Sequence, residues 1–483
     1  MEDIVTEVGK LFQTFHKQPA SRIEKLPQSG GDRIYFRIYL GGETYIATYS
    51  DHVTENRTFI YCTHHFRSKG LPMPEIFAVN ETETIYIQQD LGTQSLLDVL
   101  EEKGYTTKLF DLYTQTLRML SKIQVLGNNG FDYARCLTAK EFGRQAILSD
   151  LLYFKYYFLD TLKLAYDKQA LLNDFETLSG YLDNAGEHYF LYRDFQSRNV
   201  IINNGKVHFI DYQGGMKGAL QYDVASLLWQ AKANLPQEWK QRLLEEYIGE
   251  TEKNINVTIN RESFVSAYNG YVLVRLLQVL GAYGFRGLFE RKAHFLTSIP
   301  LALRNLCFFI KNHGIGVDTP ELRRMLEAIT TENIIARFET IKANENTPLV
   351  VKIYSFSYKI ELPTDDSENG GGFLFDMRGI LNPGRFEPYK KLTGRDKEVK
   401  DFLEQKTKMP EFLNSAFNVV DIAVEDYINR GFASLLVGFG CTGGQHRSVY
   451  AADALTRHLK NKFAVKVEVH HLVQDAKSWV NAG

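Results

Sequence analysis

Hydrophobic and polar residues alternate over residues 34–40 and again over 44–49, and a Gly-Gly pair lies between the two segments. Alternation predicts half-buried strands, and a Gly-Gly pair between two strands predicts a hairpin. A helix is expected over about residues 54–68, because a glycine and two prolines follow it. Residues 85–89 predict another strand, so residues 1–90 predict a helix followed by a β-rich lobe.

The apolar pattern changes to helical spacing after about residue 90. One interruption is predicted there, because residues 199–202 and 207–210 flank an Asn-Asn-Gly turn that favours a β-hairpin. The polar stretch 343–349 predicts a domain boundary. Strand and helix patterns follow one another after it, as in a small α/β domain. The predicted segments are 1–90, 91–345 and 350–483.

Composition narrows the class of protein. The chain of 483 residues is 44% hydrophobic and 24% charged, with a net charge of −2, which predicts two or three domains and disfavours a large nucleic-acid surface. Its four cysteines occur singly, as expected in a reducing cytoplasm. The N-terminus carries early charges and lacks the apolar core of a signal peptide. The apolar stretch 271–285 contains Arg275, so we expect a cytoplasmic protein without a membrane-spanning segment.

Three polar residues flank the predicted hairpin. Asp194 precedes it, Asn199 opens its first strand, and Asp211 follows its second strand. Phosphoryl transfer to a hydroxyl needs a carboxylate that accepts the hydroxyl proton, and Mg²⁺ that neutralises phosphate oxygens. Carboxylates and amides supply the hard oxygen ligands that Mg²⁺ prefers. We therefore assign Asp194 as the catalytic base and Asn199 and Asp211 as metal ligands; a polar loop with a capping Asp and a turn Asn is the alternative.

The sequence Y-R-D-F-Q-S-R-N at residues 192–199, followed by I-D-Y-Q at 210–213, resembles the aminoglycoside-phosphotransferase and choline-kinase superfamily. Within that superfamily it is most similar to the bacterial anomeric kinases of cell-wall amino sugars. The resemblance implies an α+β bilobal protein-kinase-like domain, ATP and Mg²⁺ as cofactors, and an N-acetylated amino sugar as substrate. It also implies that Asp223 has a structural role and braces the catalytic loop.

The same resemblance indicates where a nucleotide would bind. Glycines let backbone N–H groups approach phosphates, although a plain hairpin turn explains the same residues. A strand at residues 45–50 lacks the lysine that would contact the α- and β-phosphates, and Arg33 or Arg37 is the candidate replacement. The residues expected at the nucleotide are Ser29, Gly30, Gly31, Arg33, Gln89, Asp90 and Leu91.

The acceptor side is less defined. Aromatic residues between positions 153 and 158 could stack on a sugar ring, but aromatic residues at helical spacing more often belong to a core. The segment that contains Gln278, Tyr283 and Arg286 resembles the acceptor-side helix of the superfamily, with a surface helix end as the alternative.

A second candidate site follows a strand predicted over residues 435–439. The sequence G-C-T-G-G-Q-H-R-S at 440–448 leads from that strand into a helix. A Gly-rich turn at a helix N-terminus directs N–H groups at an anion, and Arg447 can add a bidentate contact. The loop also has the C-x5-R spacing of cysteine-dependent phosphatases, in which Cys441 would be the nucleophile. Phosphate binding without turnover is favoured, because no general acid follows nearby.

This loop, together with F-D-M-R at residues 375–378 and L-T-G-R-D at 392–396, resembles the RapZ C-terminal domain. That family binds a small RNA, senses an amino-sugar phosphate and is associated with homo-oligomers. The phosphosugar contacts it implies are Asp376, Cys441, Thr442, Gly443, Gly444, His446, Arg447 and Ser448. One pocket histidine of the family is replaced by Gly384 here. RNA binding is disfavoured, because 18 Lys and Arg residues against 17 Asp and Glu from residue 351 onward attract a phosphate backbone weakly.

The combined prediction is an ATP-dependent amino-sugar kinase followed by a small α/β phosphate-binding domain that acts as a phosphosugar-responsive regulator. Two alternatives stay open. One is a non-catalytic nucleotide-binding scaffold whose RapZ-like domain recruits RNA or a ribonuclease, which the missing strand lysine favours. The other is a C-terminal cysteine-dependent phosphatase.

Overall fold

The computed structural model describes residues 2–26, 33–290, 293–339, 341–365, 367 and 371–477. Contacts between Cα atoms divide the chain into two compact units. The first unit comprises Met1–Phe285 and Ser298–Ile335, and the second comprises Arg286–Thr297 and Ala336–Gly483. The sequence pattern does not predict that the segment 286–297 belongs to the second unit.

A five-stranded antiparallel sheet occupies the N-terminal part of the first unit, in the order β1-β2-β3-β5-β4. Its elements are α1 (Glu2–His16), β1 (Arg22–Lys25), β2 (Ile34–Leu40), β3 (Glu43–Tyr49), α2 (Val53–Ser68), β4 (Ile76–Val79) and β5 (Ile85–Gln89). The β2–β3 hairpin forms at Gly41 and Gly42, whose φ angles of +56° and +91° suit glycine. Val8 and Phe12 of α1 share one buried core with Phe36 of β2.

Helices dominate the chain from residue 91 to residue 336. The elements are α3 (Leu96–Lys103), α4 (Thr107–Asn128), α5 (Arg144–Tyr157), α6 (Lys168–Asp183), β6 (His188–Leu191), β7 (Val200–Asn203), β8 (Lys206–Phe209), β9 (Met216–Ala219), α7 (Gln221–Leu228), α8 (Gln237–Ile255), α9 (Arg261–Tyr283), α10 (Ala293–Leu296), α11 (Ile299–Asn312), α12 (Pro320–Ile329) and α13 (Glu332–Ala336). Strand β6 pairs with β9, and β7 pairs with β8. The β7–β8 turn at Asn204 and Gly205 has φ angles of +49° and +73°, as a type I′ hairpin requires.

Helix α9 continues as a π-helix, so the helical segment is Arg261–Phe289. Among the described residues it alone is long and apolar enough to cross a membrane, by length and composition only. A buried core helix passes the same test, and 56% of the most apolar window is buried. Gly281 allows close packing of α9 on α5, because a Cβ there would lie 2.9 Å from the backbone nitrogen of Phe154. The helix is therefore longer than the apolar stretch seen in the sequence, and it packs as a core element.

The second unit contains a parallel four-stranded sheet in the order β11-β12-β10-β13. Its elements after residue 336 are β10 (Val350–Ser357), β11 (Gly372–Asp376), α14 (Lys397–Lys406), α15 (Met409–Arg430), β12 (Ser434–Cys441), α16 (Arg447–Phe463), β13 (Lys466–His471) and α17 (Leu472–Asp475). Ser357 is in register with Cys441, and Asp376 is in register with Gly440. The carboxyl ends of β10, β11 and β12 therefore meet at one edge, where α/β sheets commonly bind ligands.

Candidate functional site

The loop between β6 and β7 is held in place by Asp223 of α7. The carboxylate of Asp223 accepts backbone N–H bonds from Tyr192 at 2.7 Å and Arg193 at 3.0 Å, and a side-chain bond from Gln124 at 3.1 Å. Complete burial raises the pKa of Asp223 to about 7, although these three donors act in the opposite direction. The contacts fit the bracing role that the resemblance implies.

Arg193 fixes the same loop from its other side. It has a left-handed φ of +78°, which a non-glycine residue adopts at an energetic cost. Its guanidinium donates to both carboxylate oxygens of Asp150 on α5, each at 2.8 Å, and to the hydroxyl of Tyr222 at 2.6 Å. Sequence reasoning missed Asp150, because it lies 43 residues from Arg193 and belongs to no local motif.

The structure brings Asp194, Asn199 and Asp211 together. The Asn199 amide donates to the backbone oxygen of Asp194 at 2.9 Å and to Asp211 Oδ2 at 3.2 Å. The half-buried carboxylate of Asp194 accepts no hydrogen bond from the described residues, so it can receive a proton from a bound group. The Tyr192 hydroxyl donates to the backbone oxygen of Ile210 at 2.5 Å and so connects the two loops.

A chain of side chains runs from Asp211 to helix α2. Gln213 donates to Asp211 Oδ1 at 2.8 Å and to Glu55 Oε1 at 3.3 Å, and Glu55 forms an ion pair with Arg33 at 2.5 Å. Sequence reasoning did not assign Glu55 or Gln213, although Gln213 belongs to the I-D-Y-Q motif. Both candidate arginines are paired, because Arg37 forms an ion pair with Asp90 at 2.7 Å. Arg33 belongs to the chain of side chains that leads to Asp211.

The structure describes only some of the other residues predicted to bind the nucleotide. Ser29, Gly30 and Gly31 lie outside the described residues. The Gln89 N–H donates to the Glu75 carbonyl at 2.8 Å, so that donor is already used within the sheet. Asp90 accepts from the Gly92 N–H at 2.9 Å in addition to Arg37, and Leu91 is buried.

On the acceptor side, aromatic residues of α5 divide into two groups. Phe154 and Phe158 are fully buried, which fits the core interpretation. Tyr153 and Tyr157 instead form an edge-to-face pair at 4.8 Å, and Tyr157 packs at 4.8 Å against Phe285.

Of the other acceptor-side candidates, Gln278 accepts from buried Arg275 at 2.5 Å. Burial raises the pKa of Tyr283. Arg286 belongs to the second unit and lies over the Phe295 ring.

The donor set fits a magnesium ion. In the described part of the chain, no group of three His, Cys, Asp or Glu side chains could hold a metal. Mg²⁺ sites in kinases use few protein ligands, commonly one or two carboxylates with amide oxygens and water. Asp211 and Asn199 supply such a set, and the neighbouring Gln213 Oε1 is buried without a partner among the described residues.

In the second unit, Cys441 lies at the end of β12 and at the start of the Gly-rich loop. Its Sγ accepts the Gly444 N–H at 3.2 Å and lies 3.2 Å from Ser448 Oγ. Burial alone would raise the pKa of Cys441, but hydrogen bonds from Ser448 and Gly443 and the charge of Arg447 lower it below its usual value. The loop therefore favours negative charge.

Arg447 begins helix α16 and is 3% exposed. Its Nη1 donates to the backbone oxygens of Met377 at 3.1 Å and Ile380 at 2.6 Å, which fixes one side of the guanidinium. On the other side, Nη2 makes one long contact of 3.5 Å with Thr442, and Nε is buried with no partner in the described chain. Buried charged donors without partners are costly, so this edge favours a bidentate anion.

Two residues predicted to contact the phosphosugar, Asp376 and His446, form hydrogen bonds within the protein. The Asp376 carboxylate accepts from the Arg378 guanidinium at 2.6 Å, which lowers the pKa of Asp376. His446 Nε2 lies 2.8 Å from the Tyr389 carbonyl, and burial lowers the pKa of that imidazole. Gly384 lies beside it, since a Cβ there would be 3.1 Å from His446 Cε1.

Two family models match the chain. Residues 22–254 match the phosphotransferase enzyme family, and residues 349–475 match the RapZ C-terminal domain. Together with the antiparallel sheet, the helical part and the parallel sheet, these matches confirm the expected kinase-like domain followed by a small α/β domain.

Curated relatives match parts of the chain. A nucleotide-binding protein of Fusobacterium nucleatum subsp. nucleatum is 30% identical over 212 residues, which cover 42% of this chain and 69% of the relative. A nucleotide-binding protein of Thermosipho africanus is 39% identical over 119 residues, which cover 25% of this chain and 41% of the relative. The chain spans less than half the length of the Thermosipho protein and of curated relatives from Ruminiclostridium cellulolyticum and Acetivibrio thermocellus. Among solved structures, a choline kinase from Cryptosporidium parvum is 13% identical with a TM-score of 0.47, over 68% of this chain and 99% of the other.

Proposed function

This chain belongs to the phosphotransferase enzyme family through residues 22–254 and carries a RapZ C-terminal domain at residues 349–475, and from that premise we propose an ATP- and Mg²⁺-dependent small-molecule kinase. The substrate we propose is an N-acetylated amino sugar, phosphorylated at its anomeric hydroxyl in the cytoplasm. The observation that carries the proposal is the unpartnered Asp194 carboxylate beside the Asn199–Asp211 pair.

Each residue has a defined task in this proposal. Asp194 orients the acceptor hydroxyl and accepts its proton. Asn199 and Asp211 would hold the magnesium ion, whose chemistry is to neutralise charge on the phosphate oxygens. Arg33 takes the place of the missing strand lysine, since its ion pair with Glu55 connects it through Gln213 to Asp211.

The C-terminal domain is proposed as a phosphosugar-binding regulator. The open edge of Arg447 provides donors that a phosphate monoester requires, and the Gly-rich loop lies at the N-terminus of helix α16. The lowered pKa of Cys441 supports a second candidate, a cysteine-dependent phosphatase. Phosphatase activity that persists in a Cys441→Ser protein would exclude it.

The kinase is tested by ATP consumption with Mg²⁺ and a panel of N-acetylated amino sugars. We expect phosphorylation at C1, and a decrease in kcat of about 10²- to 10⁴-fold in Asp194→Ala, the range of positioned general bases. Asp111→Ala, an exposed change on α4, is the control and is expected to match wild type. Nucleotide binding without turnover on any sugar would favour the scaffold alternative.

A further inference from the structure

We propose that Gln213 is a metal-binding residue of the kinase site, supplying an amide oxygen in addition to the oxygens of Asn199 and Asp211. This inference rests on the proposed kinase function and extends it to a residue that the catalytic motif leaves without a role. Gln213 is 7% exposed, and its Oε1 has no hydrogen-bond partner in the described part of the chain.

Both carboxylate oxygens of Asp211 accept amide N–H bonds. Asn199 donates to Oδ2 at 3.2 Å, and Gln213 donates to Oδ1 at 2.8 Å. The two amides thus occupy positions where a cation would bind the carboxylate. A half turn of either amide about its terminal bond exchanges nitrogen for oxygen, which converts a donor to Asp211 into an oxygen ligand beside it.

The backbone fixes Gln213 at this place. Tyr212, between Asp211 and Gln213, is fully buried, and its ring stacks on Phe59 of α2 at 4.9 Å. Asp211 itself has a left-handed φ of +71°, a conformation retained at functional sites where the surrounding structure enforces it. The side chain of Gln213 is therefore held between Asp211 and Glu55 rather than directed to solvent.

The charges at the site also favour a cation. Asp211 and Glu55 place two carboxylates at the Gln213 amide, and Arg33 is paired with Glu55. A role as hydrogen-bond donor alone would use Nε2 and leave the carbonyl oxygen desolvated without compensation. After the half turn of the amide the oxygen faces Asp211, where a cation gives it a partner.

The test measures metal binding directly, without turnover. Mn²⁺, a stand-in for Mg²⁺ that is visible by electron paramagnetic resonance, is titrated into the full-length protein with a non-hydrolysable ATP analogue. Gln213→Leu is expected to raise the Kd for Mn²⁺ about tenfold or more, the scale of supporting residues at metal sites. Gln213→Glu retains an oxygen ligand and adds charge, so it is expected to bind Mn²⁺ at least as tightly as wild type. Gln169→Leu, an exposed change on α6, is the control.

The Gln213→Glu variant separates a ligand from a positioning residue. If Gln213 acts only as a donor to Asp211 and Glu55, a third carboxylate repels them, and Mn²⁺ binding weakens as in Gln213→Leu; that result overturns the inference. If the Gln213→Leu protein does not fold, the Mn²⁺ affinity of Gln213→Glu alone tests the inference. If both variants bind Mn²⁺ with wild-type affinity and the wild-type protein transfers phosphate, the inference about Gln213 is rejected and the kinase proposal stands. Absence of Mn²⁺–nucleotide binding in the wild type rejects both.

Discussion

At the scale of single residues, Asp223 accepts two backbone N–H bonds from the loop that carries Asp194. Asp223→Asn replaces one acceptor oxygen by an N–H group that faces another donor. We expect a loss of about 1–3 kcal/mol in the free energy of unfolding, the cost of an unsatisfied buried group, and a decrease in kcat. Urea denaturation and kinase assays measure both effects, with exposed Asp111→Asn as the control. Unchanged stability would show that Asp223 does not brace the loop.

Arg447 is the corresponding residue in the second unit. Arg447→Lys retains the charge but removes the planar edge formed by Nε and Nη2. We expect the affinity for an amino-sugar phosphate to fall at least about tenfold, because one charge-assisted hydrogen bond to a charged group contributes roughly 1.5–3 kcal/mol. Isothermal titration calorimetry on the full chain measures this affinity. Arg457→Lys, an exposed change on α16, is the control. Equal affinities of the wild type and Arg447→Lys would show that Arg447 does not bind the anion.

At the scale of elements, a network joins α16 and β13 behind the Gly-rich loop. Asp453 accepts from Arg395 at 2.7 Å and lies 3.2 Å from His471, whose Nδ1 lies 2.8 Å from Ser355. Burial alone would raise the pKa of Asp453, but the hydrogen bonds from His471 and Arg395 lower it to about 2. Arg395 adjoins Gly394, which donates to the loop residue Gln445 at 3.0 Å, so this network supports the loop.

The lowered pKa predicts a pH-dependent contribution to stability. Because it lies below the unfolded value near 3.8, the contribution is complete above about pH 4 and disappears as the pH falls through about 2. Asp453→Asn is therefore expected to lower the free energy of unfolding by about 2 kcal/mol at pH 7 and to change it little near pH 2. Denaturant unfolding at a series of pH values measures the difference. A pH-independent difference would mean that the carboxylate charge does not matter.

At the scale of the whole molecule, the two units are proposed to be coupled. If the second unit senses a phosphosugar and the first unit makes one, the kinase rate should change when an amino-sugar phosphate is added to the full chain. The sign and size of the change are measured by ATP consumption at fixed acceptor concentration. Equal rates with and without the phosphosugar would contradict the coupling. The proposals for the kinase and for the anion site would not be affected, because separate experiments test them.

Local features of the fold were predictable because they depend on neighbouring residues. Alternation predicted β2 and β3, a strand was also predicted at β5, and the Asn-Gly pair predicted the β7–β8 hairpin. The sequence showed an apolar stretch at 271–285 but not the full length of α9, and the close packing of this helix on α5 through Gly281 leaves no signal in the apolar pattern. The placement of residues 286–297 in the second unit was also missed, since contacts rather than composition decide it.

The chemical groups could be read from the amino-acid sequence alone: Asp194, Asn199 and Asp211 flank a hairpin, and a Gly-rich loop leads to Arg447. Short motifs encode these residues because a turn or a helix start fixes them within a few positions. The fold was needed to connect Arg33 with Glu55, to bring Asp150 to Arg193, and to join Gln213 to Glu55 across 158 residues. It also left one edge of Arg447 open. Such pairings depend on packing between distant segments, which no local pattern of residues specifies.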